Sequence, residues 1–112
     1  MSTPIRVELL YFDGCPSYKT AWAELLEVIA EGDLNVSVRP IKVDSLERAH
    51  LYSFAGSPTV KVNGQDLERY QGQGVMACRV YEENGGKGYP SKALLQVRLT
   101  EKVDEYESTE RG

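Results

Sequence analysis

Cys15 and Cys78 are the two thiols of this chain, and they stand in different surroundings. Cys15 lies within Tyr11-Phe12-Asp13-Gly14-Cys15-Pro16-Ser17-Tyr18. An apolar run from Ile5 to Leu10 precedes it, and a segment of helical period, Thr20 to Ile29, follows. The cysteine therefore falls where a strand ends and a helix begins, with Pro16 in the first helical turn. The opening N–H groups of a helix lack intrahelical acceptors and carry partial positive charge, so a thiolate there is stabilised and its pKa falls. A thiol of that kind forms mixed disulfides or takes a soft metal or electrophile. Asp13 opposes thiolate formation unless its carboxylate turns outward. Ser17 has a hydroxyl to offer the sulfur, and it also reads as an ordinary first-turn polar residue. Cys78 sits in an alternating segment and reads as a small buried hydrophobe.

The elements that must hold Cys15 follow from the pattern. Near-continuous hydrophobicity from Ile5 to Phe12 suits a central strand covered on both faces. The helix behind it offers Tyr18, Trp22, Leu25, Leu26 and Ile29 for burial, and Gly32 reads as its left-handed cap. Asn35 to Val43 is a second strand, which by Pro40 either lies at a sheet edge or contains an irregularity. Asp44 with Glu47 forms a capping box for a second helix, and Gly56 ends it. His50 falls on its exposed side and is given no catalytic part. Thr59 to Val62 is a short strand closed by the turn signal Asn63-Gly64. Residues 65 to 76 read as an extended loop and 77 to 82 as a fourth strand, with Arg79 and Tyr81 on one face as packing or solvated residues. Pro90-Ser91 opens a last helix with Leu94, Leu95 and Val97 to Leu99 as its buried positions. The result is an α/β chain of order βαβαββα, a four-stranded mixed sheet with helices on both faces, the first two strands parallel. Residues 1–100 form the domain and 101–112 an acidic tail expected to be disordered.

Composition narrows the function. The 112 residues carry 41% hydrophobic and 27% charged side chains and a net charge of −4. These values fit one globular domain, and without a Lys/Arg cluster they argue against nucleic acid and anionic membrane surfaces as partners. No apolar run reaches the roughly 20 residues of a membrane span. Met1-Ser2-Thr3-Pro4 shows no signal peptide, so the expected location is the cytoplasm, where thiols stay reduced. No zinc spacing, phosphate-binding loop, dinucleotide fingerprint or Ser/His/Asp set is present, and no metal or cofactor is expected. Oligomeric state is not readable.

Three features resemble the thioredoxin superfamily: Phe12-Asp13-Gly14-Cys15-Pro16 after the first strand, Gly56-Ser57-Pro58-Thr59 before the third, and the ββα ending. The resemblance spans about residues 5 to 99. It implies that Cys15 is the active cysteine, that Pro58 is a cis-proline facing it, and that Pro16, Ser17, Tyr18, Ser57, Pro58 and Thr59 line the substrate groove. The partner implied is a protein or a low-molecular-weight thiol or disulfide, with Ser57 and Thr59 offering backbone to an extended peptide. More narrowly, the chain resembles a group of small bacterial thioredoxin-like proteins of unassigned activity, through the strings above and Cys78-Arg79-Val80-Tyr81. Some members carry an alkylmercury-lyase label, a chemistry that needs two cysteines and a carboxylate at one site.

The departure from that superfamily is at Tyr18. It occupies the position of the second cysteine of a C-x-x-C motif and cannot form a disulfide, so glutathione or another protein would have to resolve a mixed disulfide. If the fourth strand runs back from Pro58 with Glu83 near that end, Cys78 lies roughly 16 Å away, beyond the 7 Å or so between Cα atoms that a disulfide allows. Three readings stay open: monothiol thiol–disulfide exchange at Cys15, a non-catalytic binding module that uses the same groove, and thiol-based handling of a metal or organomercury compound, which requires Cys15 and Cys78 to converge.

Overall fold

A computed structural model describes residues 4–14, 17–68, 70, 74, 77 and 79–111, with side chains to residue 105. Strand β1, Ile5–Tyr11, is the centre of the sheet. It pairs in parallel with β2, Val36–Lys42, in a register that sets Ile5 beside Val36 and Leu9 beside Pro40. On its other side it pairs antiparallel with β3, Thr59–Val62, which in turn pairs with the two-residue β4, Gln65–Asp66. The strand order β2-β1-β3-β4 leaves β2 at an edge, where Pro40 has no ladder N–H to lose.

Alternation along β1 divides the core in two. Ile5, Val7 and Leu9 point to one face and meet Ala21, Leu25 and Val28 of α1, Ser17–Gly32, and Leu95, Leu99 and Val103 of α3, Lys92–Arg111. Leu10 points to the other face and packs with Ile41, Val43, Phe54 and Ala49, the last from the six-residue α2, Leu46–Leu51. This is the mixed four-stranded α/β fold expected, with helices on both faces, thioredoxin-like in its coarse plan.

The local signals are shifted in several places. Helix α1 is described from Ser17, and its buried stripe is Ala21, Leu25 and Val28, while Leu26, expected in the core, is 43% exposed. The left-handed residue at its end is Asp33 (φ 48°), not Gly32. Short polar side chains tolerate that conformation because they hydrogen-bond locally. Ser45, not Asp44, caps α2, its hydroxyl accepting from Arg48 N–H at 3.1 Å. Helix α2 stops at Leu51, well before Gly56, and Leu46 and Leu51 face solvent. Ser91 caps α3 as expected, accepting from Leu94 N–H at 3.0 Å.

Two differences matter more. The fourth strand is 65–66, not 77–82. Asn63 and Gly64 both take positive φ (51° and 84°), the geometry of a two-residue hairpin turn, so Gln65 is brought directly opposite Val62. The tail also does not part from the domain at residue 101. Helix α3 continues to Arg111, because Val103 extends the Leu95, Leu99 stripe by one more turn and is only 8% exposed. Val97, expected in the core, is 55% exposed.

Val103→Ala is therefore expected to cost about 1 to 2 kcal/mol in urea unfolding, the usual loss for trimming a buried aliphatic side chain. Val97→Ala, at a solvated position, is expected to stay within about 0.5 kcal/mol. Equal effects for the two would return residues 101–111 to the status of a loose tail.

Candidate functional site

The site grows from the end of β1 and the start of β3, which are neighbours because Leu10 pairs with Thr59. The Ser57–Pro58 peptide bond is cis. Ser57 is 1% exposed, so each of its polar groups must find a partner inside the fold. Its hydroxyl oxygen accepts from Phe12 N–H at 3.2 Å, which ties the turn leading to residue 15 to the turn carrying Pro58. Its own N–H donates to the Ala77 carbonyl at 2.8 Å, and its carbonyl accepts from Arg79 N–H at 3.0 Å. Ala77 and Arg79 are thus both bonded to the Ser57 backbone.

Below this junction is a buried cluster that the sequence did not reveal. The Arg79 guanidinium donates to both carboxylate oxygens of Asp66, Nη1 to Oδ1 at 2.6 Å and Nη2 to Oδ2 at 2.8 Å. It also reaches Glu68 Oε1 at 3.0 Å and Thr59 Oγ1 at 3.4 Å. Asp66 is 4% exposed and Arg79 8%, a two-pronged pair closed off from water. Desolvation pulls the guanidinium down, but the hydrogen bond to Asp66, the fields of Tyr81 and Asp66 and the bond to Glu68 outweigh it, and its pKa is raised. The guanidinium lies over the Tyr81 ring, 4.6 Å from its centroid. The Tyr81 hydroxyl donates to the Pro58 carbonyl at 2.6 Å, and burial pushes its pKa up despite the opposing charge of Arg79. Arg79 and Tyr81 do share a face, as their spacing suggests. Their task is to hold the carbonyl of the cis-proline, and no sequence spacing announces Asp66 as their anchor.

The other wall is aromatic. Tyr18 stacks on Tyr11 with ring centroids 4.3 Å apart, and both line a cleft of about 300 Å³ with Leu9, Trp22 and Pro40. Tyr18 is thus occupied as a wall of that cleft. Ser17 abuts the backbone at Gly88, where an added Cβ would come within 2.5 Å of its hydroxyl. Asp13 is turned outward to Lys42 of β2 at 2.8 Å, and that hydrogen bond with its charge raises the lysine pKa. Thr59 donates its hydroxyl to the Gly56 carbonyl at 2.6 Å. Of the expected site residues, Ser17, Tyr18, Ser57, Pro58 and Thr59 are thus placed. Cys15 and Pro16 lie outside the described residues, as does Cys78. The 16 Å separation assigned to Cys78 rested on a fourth strand at 77–82 and falls with it. His50 is exposed, as expected. Among the described residues no group of three or more His, Cys, Asp or Glu side chains could hold a metal ion, and no helix is long and apolar enough to cross a membrane.

Arg79→Met strands the Asp66 carboxylate in a dry site and is expected to cost about 3 to 5 kcal/mol in urea unfolding. Tyr81 gives a pH signature. Its folded pKa is above the unfolded value near 10, so its contribution is fully present below that pH and is lost as pH rises through the folded value. Tyr81→Phe removes the hydroxyl and is expected to lower stability near neutrality by about 1 kcal/mol while flattening its decline above about pH 10. A parallel decline in both proteins would deny Tyr81 that part. No protein-family model, curated protein or solved structure matches this chain.

Proposed function

We propose that this chain is a thioredoxin-like thiol protein in which Cys15 attacks disulfides presented along the cis Ser57–Pro58 turn. The observation that carries the reading is the Phe12 N–H to Ser57 Oγ hydrogen bond of 3.2 Å, which couples the loop leading to Cys15 to that turn. Two electrostatic facts support an activated thiol. Helix α1 runs 16 residues from Ser17 and has no acidic side chain in its first turn, so nothing there offsets the positive end of its dipole. The Asp13 carboxylate, the charge that would most oppose a thiolate, is engaged by Lys42. The partner is a protein or small-molecule disulfide. Ser57 and Thr59 are buried, and both backbone hydrogen-bonding groups of Ser57 are taken by Ala77 and Arg79, so they act as support behind the turn. The Tyr11, Tyr18 and Trp22 cleft offers an apolar seat beside the helix start.

The test is the rate of alkylation of Cys15 by iodoacetamide against pH, resolved by peptide mass spectrometry. The expected apparent pKa lies clearly below the free-thiol value of about 8.5. A value at or above that figure would sink the activated-thiol reading and leave the scaffold as a binding module. Lys42→Gln frees the Asp13 charge and is expected to raise the Cys15 pKa in low salt, with the difference erased in molar salt. An unchanged profile would mean that Asp13 is too well solvated to matter.

A further inference from the structure

We propose that the aromatic cleft at the start of α1 is a docking groove for a proline-rich segment of a partner protein. The inference stands whether or not Cys15 is reactive. Leu9, 1% exposed, forms the floor of the cleft, and Tyr11, Tyr18, Trp22 and Pro40 wall a volume of about 300 Å³. Each wall has a local cause. Tyr11 ends the row of Ile5, Val7 and Leu9 on that face of β1, and Pro40 pairs with Leu9 from the edge strand β2. Tyr18 and Trp22 stand one turn apart on α1, and Leu26, 43% exposed, continues the same ridge by another turn. The ridge from Tyr18 to Leu26 is about 12 Å long, the length of about four residues of polyproline II chain. The Tyr11 and Tyr18 rings already stack at 4.3 Å, so this wall is set before anything docks.

Hydrogen-bonding capacity selects the occupant. Among the described residues, the Trp22 indole N–H and the Tyr11 and Tyr18 hydroxyls have no hydrogen-bond partner, and none of these groups is sealed from solvent. The indole only donates, and both hydroxyls can donate. The cleft therefore combines apolar rings with donors that need acceptors. A proline-rich segment supplies rings and carbonyl acceptors, and it has no N–H to strand against an apolar wall. Its extended form is preset, which lowers the ordering cost of docking, and aromatic-lined grooves suit it for these reasons.

The charge pattern matches an uncharged occupant. The chain carries a net charge of −4, yet its carboxylates are drawn away from the cleft. Glu31 of α1 bonds Lys92 of α3 at 2.9 Å on the opposite flank of the helix, and Glu24 and Glu27 add their fields to that lysine. Lys42, paired with Tyr11 across the strands, engages Asp13 at 2.8 Å, so neither charge is left to hold an ionic ligand.

Trp22 is the one tryptophan of the chain, so its emission reports on the groove directly. The experiment titrates the reduced full-length chain with an acetylated, amidated deca-proline peptide, with a Gly-Ser peptide of equal length as control. The expected result is a saturable blue shift of the Trp22 emission with deca-proline alone, and amide chemical-shift changes centred on Tyr11, Tyr18 and Trp22. Tyr18→Ala is expected to weaken binding by about tenfold or more, the usual effect of removing an aromatic anchor. Leu46→Ala, an exposed position of α2 on the other face of the sheet, is expected to leave binding unchanged. Circular dichroism and a urea midpoint establish that the variants are folded, and the wild-type shift map decides alone should Tyr18→Ala not fold. No response at millimolar deca-proline, an equal response to the Gly-Ser peptide, or shifts centred elsewhere would overturn the proposal. A blue shift on raising protein concentration without peptide would assign the cleft to a second copy of the chain and overturn it as well. None of these outcomes bears on the reactivity of Cys15, which alkylation tests separately.

Discussion

The buried pair of Arg79 and Asp66 is the constraint on which the rest of this site depends. A guanidinium and a carboxylate at 8% and 4% exposure persist only if each satisfies the other, because either alone would carry a large desolvation cost. The pairing fixes more than two side chains. Asp66 is half of a strand only two residues long, and its Oδ2 also accepts from Glu68 N–H at 2.8 Å and Tyr70 N–H at 3.3 Å. One carboxylate thus organises the turn after β4 and anchors Arg79, two secondary-structure signals away in sequence. A strand as short as β4 would not be expected to hold its register through ladder bonds alone.

From that anchor the geometry propagates to Ser57. With Arg79 fixed, its N–H is delivered to the Ser57 carbonyl, and Tyr81, two residues on and under the same guanidinium, delivers its hydroxyl to the Pro58 carbonyl. Thr59, next in line, gives its hydroxyl to Gly56 and accepts from Arg79. Consecutive residues of the cis turn are thereby bonded from the 79–81 side, while the Ser57 hydroxyl remains to accept from Phe12 at the end of β1. Three separate stretches of chain meet at one small residue. Serine suits the position because it offers a side-chain acceptor in addition to backbone groups while adding almost no bulk.

Much of this was legible in the sequence, and the reasons differ by element. The period-2 burial of Ile5, Val7 and Leu9 and the edge placement of Pro40 follow from steric and hydrogen-bonding rules that act on single residues. The caps moved by one residue, from Asp44 to Ser45 and from Gly32 to Asp33, because neighbouring small polar residues compete for the same geometry with small energy differences. The fourth strand was misplaced for another reason. Ala77 to Glu82 alternates, but it buries Arg79 and Tyr81 and leaves Val80 55% exposed, so the face a hydropathy rule assigns to the core is the outer one. The Asn63-Gly64 signal pointed to the true partner, since a two-residue turn demands a strand immediately after it. The tail was misread because a single valine, Val103, decides whether the last helix stays docked, and composition averages it away among acidic neighbours. The Arg79–Asp66 pair was not legible at all, since nothing local in a sequence says which carboxylate a buried arginine will find.

The electrostatics at the start of α1 give the arrangement its chemical direction. A helix dipole favours an anion only if the anion's competitors are absent or engaged. Competition from the helix itself is missing, since its first turn, from Ser17 on, carries no acidic group. Competition from the preceding turn is met on β2, where Lys42 draws Asp13 away at an exposed site. The register of the sheet is what makes this possible, because Tyr11 pairs with Lys42, leaving the lysine opposite the end of β1 just as the chain turns. A slip of one residue would invert the faces of β2, carry Lys42 to the far side of the sheet and leave Asp13 facing the helix start unpaired. The register that packs Ile41 against Leu10 therefore also sets the charge balance at the residue where the chemistry is proposed.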